Sequence, residues 1–75
     1  MVTADFIVAK LKENIPSAKV TATDLTGGGD HWRVVIKASE FKDKSLVEQH
    51  QMVYRALGDL MKKEIHALAL DTREE

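Results

Sequence analysis

His31, His50 and His66 are the side chains best suited to ligand chemistry in a sequence that contains no cysteine. Imidazole titrates near neutral pH and, when neutral, offers a ring nitrogen to a transition metal. Without a thiol the chain supplies no thiolate ligand, no sulfur nucleophile and no disulfide. His66 stands at the entry to a final strand, directly after a helix end. It reads either as a side chain projecting from a rigid frame into a surface concavity or as a hydrogen-bonded edge residue. His31 follows Gly27-Gly28-Gly29-Asp30, on a segment read as mobile, and is either a ligand that swings toward a metal or a solvated loop residue. His50 shares a helical stripe with Leu46, Val53 and Leu57, where a half-buried, hydrogen-bonded structural role is the better reading. Neither Gln49 nor Gln51 completes a helix-borne H-E-x-x-H pattern.

Other arrangements carry less. The triple glycine lies between two strands and lacks the G-x-x-x-x-G-K-[ST] spacing, so it reads as a hairpin loop and not a phosphate cradle. Asp43-Lys44-Ser45 precedes a helix and reads as a cap. No serine occupies a G-x-S-x-G setting, and the carboxylates are scattered over faces expected to be exposed. The chain is therefore expected to bind and not to catalyse.

These side chains must be positioned by a small frame. At 75 residues the chain makes one domain, residues 1–75, with a core limited to about 60% burial of the unfolded surface. Its hydrophobic fraction of 44% and charged fraction of 31% suit a folded protein. A net charge of -1 gives no general attraction to phosphate or anionic lipid. With neither a secretory-type N-terminus nor an apolar run of about 18 residues, no membrane is implied and a cytoplasmic location is expected.

Thr3 caps a helix that presents Phe6, Ile7, Leu11 and Ile15 on one face, and Pro16 stops it. Ala18 to Leu25 alternates as a half-exposed strand, and His31 to Ala38 is the strongest strand signal. A short helical turn falls near Ser39 to Phe41. Ser45 and Glu48 then form a capping box, opening a helix with Leu46, Val53, Leu57 and Leu60 that is expected to run to about Glu64, with Gly58 its weak point. Ile65 to Thr72 is the last strand, with His66, Leu68 and Leu70 on one side and Ala67 and Ala69 on the other, before the charged tail 73–75. A hairpin, a crossover helix and a third strand give an α+β domain with a three-stranded mixed sheet and helices packed on one face.

Phe41, Lys44-Ser45-Leu46, His50-Gln51-Met52-Val53 and Glu64-Ile65-His66-Ala67-Leu68-Ala69-Leu70, in that order, resemble the BolA family. The resemblance implies an α-β-β-α-α-β arrangement related to the class II KH fold. It also implies a monothiol glutaredoxin as partner, sharing a [2Fe-2S] cluster with it and with glutathione, in iron-sulfur cluster handling and iron regulation. On the family pattern His66 is the characteristic ligand. His31 takes the loop-ligand place of the histidine branch, and Trp32, Lys44, Ser45 and His50 are candidate partner contacts. Two imidazoles on one iron and two thiolates on the other resemble Rieske ligation. One departure is Asp43, in a region where the family usually carries a glycine before the Lys44-Ser45 pair.

The alternative is a nucleic-acid-binding transcriptional regulator, through the KH-like or helix-turn-helix-like surface. Residues 40–64 hold five cationic side chains (Lys42, Lys44, Arg55, Lys62, Lys63) against five anionic ones (Glu40, Asp43, Glu48, Asp59, Glu64), so that surface has no basic excess. The G-x-x-G clamp of KH domains is also missing. A third reading is a metal-free adaptor that grips a glutaredoxin without any cluster.

Overall fold

The computed structural model describes residues 2–75. Thr3 caps α1 (Ala4–Asn14), its hydroxyl accepting the Phe6 N–H at 3.2 Å. Ile7 and Leu11, one turn apart, are fully buried with Ile15 beyond them. Phe6, expected on the same face, is 53% exposed. It sits about 100° around the helix from Ile7, and the core contacts follow the Ile7–Leu11 line.

β1 (Lys19–Asp24) and β2 (His31–Ala38) pair antiparallel, from Lys19 opposite Lys37 to Asp24 opposite Trp32. β3 (Ala67–Glu74) adds parallel to β2, so the sheet order is β1-β2-β3 and the sheet is mixed. β3 begins and ends two residues later than the expected Ile65 to Thr72, because its parallel ladder follows β2 as far as Ala38 opposite Glu74. The tail therefore belongs largely to the strand. Trp32, Val34 and Ile36 fill the covered face, while Arg33, Lys37, Ala67 and Ala69 look outward.

After β2 a single 3-10 turn, Ser39–Phe41, buries Phe41 completely. Asp43 then adopts φ +61, the left-handed conformation that favours glycine and that aspartate tolerates better than most residues. The departure noted in the sequence thus falls where the backbone asks for glycine, and the turn still closes through Lys44 N–H to the Phe41 carbonyl at 3.1 Å. Both halves of the capping box are formed at the start of α2 (Leu46–Leu57). Val53, Ala56 and Leu57 reach the core. Leu46 shares their angular position but is 62% exposed, because the first turn of α2 is left uncovered.

The single helix expected to reach Glu64 is in fact two. Gly58, at φ 56 and ψ -126, ends α2, and a four-residue α3 (Leu60–Lys63) follows. Only glycine reaches that backbone region without strain. Gly58→Ala is expected to lower stability by about 1–3 kcal/mol, read from the midpoint of urea unfolding. The added Cβ meets nothing closer than the Arg55 carbonyl at 3.9 Å, so the loss measures backbone strain. Among the described residues no helix is long and apolar enough to cross a membrane.

Candidate metal centre

Asp24 organises the loop between β1 and β2. Its Oδ1 accepts the Thr26 and Gly27 N–H groups at 3.1 and 2.9 Å, and its Oδ2 accepts that of Gly29 at 2.9 Å. Gly27 and Gly29 supply the positive φ values of 81 and 77 that turn those amides inward. Beneath the loop, the buried Trp32 indole donates to the Gly29 carbonyl at 2.9 Å. The segment expected to be mobile is thus tied down from both sides. Asp24→Ala removes one acceptor from three amides, and is expected to cost about 1–2 kcal/mol while speeding hydrogen exchange at Thr26, Gly27 and Gly29.

The fixed loop delivers Asp30 to the start of β3. The Asp30 carbonyl accepts the His66 N–H at 2.8 Å and the Ala67 N–H at 3.2 Å, and His31 stands in register with Ala67. The Asp30 carboxylate is near both imidazoles, with Oδ1 3.1 Å from His31 Nδ1 and Oδ2 3.7 Å from His66 Nδ1. The ring centroids are 6.5 Å apart and the rings perpendicular, at 88°. His31 Nδ1 is buried and, despite the short distance, makes no hydrogen bond to Asp30. The His31 ring edge and the Thr26 hydroxyl hold the Asp30 carboxyl below the usual carboxylate range, keeping it anionic at neutral pH.

The two histidines differ in freedom. The His66 side chain is 67% exposed and the His31 side chain 43%. With Nδ1 of each ring turned toward Asp30, Nε2 is the nitrogen left for a ligand. A carboxylate facing the far nitrogen is the arrangement that orients metal-binding histidines and fixes their tautomer. Asp30 was not singled out from the sequence. Its signal there is only its place between a glycine run and a histidine, and its reach to His66 comes from the parallel strand.

The remaining candidates do not gather at this point. Trp32, expected as a partner contact, is 3% exposed and serves the loop from inside the core. Lys44 and Ser45 are exposed, with the Ser45 hydroxyl engaged by Glu48 N–H. Their neighbour Gln49 donates to the Lys44 carbonyl and accepts the Thr72 hydroxyl at 2.7 Å. That end of β3 lies six residues from His66, about 20 Å away at strand rise. His50 is half-buried and close enough to Asp71 to act on it electrostatically. It makes none of the side-chain hydrogen bonds expected of it among the described residues.

The family model for BolA, described as BolA-like protein, matches residues 6–75. The chain belongs to the BolA-like family. An uncharacterized protein of Rickettsia prowazekii (strain Madrid E), RP812, is 32% identical over 71 residues, which cover 95% of this chain and 92% of that protein. Human BolA-like protein 3 is 44% identical over 64 residues, covering 83% of this chain and 59% of the human protein. This BolA-like chain therefore spans little more than half of that relative. A solved BolA homologue from Coxiella burnetii superposes with a TM-score of 0.83 at 31% identity, over 99% of this chain and 92% of the other. The α+β architecture with three helices and a three-stranded mixed sheet is that of the family.

Proposed function

We propose that this BolA-like chain binds a monothiol glutaredoxin and helps to hold a [2Fe-2S] cluster between the two proteins, in iron-sulfur cluster assembly, transfer or iron regulation. The observation that carries the reading is the meeting of His31 and His66, far apart in the chain, beside the Asp30 carboxylate, with ring centroids 6.5 Å apart. The donor set fits such a group. Two imidazoles suit one iron of a cluster with mixed histidine and thiolate ligands. Among the described residues no group of three or more His, Cys, Asp and Glu side chains is placed to hold a metal, so the other coordination positions fall to other molecules. A glutaredoxin cysteine and glutathione supply the thiolates that this cysteine-free chain lacks.

When bound, the cluster brings electron-transfer capacity, at a potential raised by neutral histidine ligands. The chain's own residues set the site. Asp24 and Trp32 fix the loop, the Asp30 carbonyl pins the start of β3 to it, and the Asp30 carboxylate lies near Nδ1 of both rings. Protonated imidazole cannot ligate, so binding requires both rings neutral and weakens in acid.

Anaerobic mixing with a monothiol glutaredoxin, glutathione, iron and sulfide tests the reading. A 1:1 heteromer on gel filtration, with a visible circular dichroism spectrum distinct from that of the glutaredoxin cluster alone, is the expected result. A heteromer without visible bands leaves a metal-free adaptor, and absence of any heteromer refutes the partnership.

A further inference from the structure

One face of the sheet is left open. Trp32, Val34 and Ile36 turn into the core, so the alternation of β2 puts His31, Arg33 and Lys37 on the opposite side. The register places Lys19 of β1 and Arg73 of β3 directly opposite Lys37. Three cations thus stand in one row across all three strands, at the strand spacing of about 4.8 Å, and like charges so opposed repel.

The row is only partly compensated. Lys19 pairs with Glu75 and Arg73 with Asp71, while among the described residues Arg33 and Lys37 form no salt bridge. The face holds four of the eleven cations and two of the twelve carboxylates, which leaves seven cations to ten carboxylates elsewhere on the chain. Between the charges the small side chains Thr21, Thr23, Ala67 and Ala69 are exposed and keep the surface low.

We propose that this open face is where the protein partner docks, presenting its own carboxylates to Arg33 and Lys37. The inference rests on the reading of the histidine site given above. His31 lies at one end of the face, so a molecule that shares a metal with His31 and His66 comes against it and meets Arg33 next, about 7 Å along β2. Charge decides the chemistry of that partner: a cationic face on a chain of net charge -1 selects an acidic surface. A nucleic acid fits less well. Phe6 and Tyr54 are on helices, and Trp32 and Phe41 are buried, so the face offers no aromatic platform for stacked bases. Asp71 and Glu75 also break up the cations that a phosphate backbone would follow.

Lys37→Glu makes the test specific. It puts a carboxylate between Lys19 and Arg73, which relieves the repulsion within the chain while opposing the partner. Its urea midpoint should therefore lie above that of the wild type. In stopped-flow mixing at low salt with a cluster-loaded monothiol glutaredoxin and glutathione, it should nevertheless associate roughly 3- to 10-fold more slowly. Arg33→Glu combined with Lys37→Glu should slow association roughly 10- to 100-fold, and both gaps should narrow at about 0.5 M salt. Lys10→Glu combined with Lys42→Glu, the same change of charge outside the sheet, should slow it by less than about 2-fold. A heteromer that forms no more slowly with the sheet variants than with this control overturns docking on the open face and leaves the partnership standing. A wild-type chain that forms no heteromer refutes the partnership, and the docking with it. Binding of a fluorescent single-stranded oligonucleotide that Lys37→Glu abolishes, with glutaredoxin association unchanged, assigns the face to phosphate and also overturns the proposal.

Discussion

His66→Ala is expected to abolish the heteromeric cluster signal while leaving the fold of the chain unchanged. Loss of a carboxylate that merely orients a ligand costs about 10- to 100-fold in metal affinity, and loss of the ligand itself should cost more. The His66 side chain is 67% exposed, and its structural contribution is the backbone N–H given to the Asp30 carbonyl at 2.8 Å, which alanine retains. Unfolding free energy should therefore move by less than about 0.5 kcal/mol. Visible circular dichroism of the reconstituted complex and urea unfolding of the free chain separate the two effects. An unaltered cluster spectrum removes His66 from the coordination, and the metal-free adaptor becomes the leading account.

Phe41→Ala is expected to have the largest effect on stability. Phe41 is fully buried at the 3-10 turn where the chain leaves β2 for α2, and its carbonyl accepts the Lys44 N–H and the Gln49 side-chain amide. Removing a buried phenyl ring costs about 3–5 kcal/mol. Domains of this size unfold with a total of roughly 5–15 kcal/mol, and each kcal/mol shifts the melting temperature by about 4–8 °C. A fall of roughly 12 °C or more by calorimetry is expected. A loss under about 1 kcal/mol means that the ring's space collapses without consequence and that Phe41 is not central to the core.

The features legible in the sequence are those decided by neighbours along the chain. The Thr3 cap, the Ser45–Glu48 capping box, the short turn at Ser39–Phe41 and the bounds of β2 all depend on residues within four positions of one another. Heptad spacing reported the angle of Leu46 correctly and could not report that nothing covers the first turn of α2. Similarly, Gly58 was visible as a weak point, but only its backbone angles show that it divides the helix. Within the candidate site, His31 and His66 were named from residue type and family pattern. Asp30 was not, because its part is created by contacts to His66 and Ala67, residues 36 and 37 positions later. Trp32 shows the converse: its strand assignment was sound, and the alternation that buries it also withdraws it from any partner.

The parallel placement of β3 also bears on how the protein is made. During translation α1, the hairpin and α2 emerge before the final strand, carrying His31 and its tethered loop but not His66. A nascent or prematurely released chain that ends before Ile65 leaves one side of β2 unpaired and lacks the imidazole that meets Asp30 beside His31. Docking of β3 closes the sheet and brings His66 to Asp30 in one event, through the amides at its first residues. On the proposed reading of the site, competence to hold a cluster is thereby tied to completion of the polypeptide.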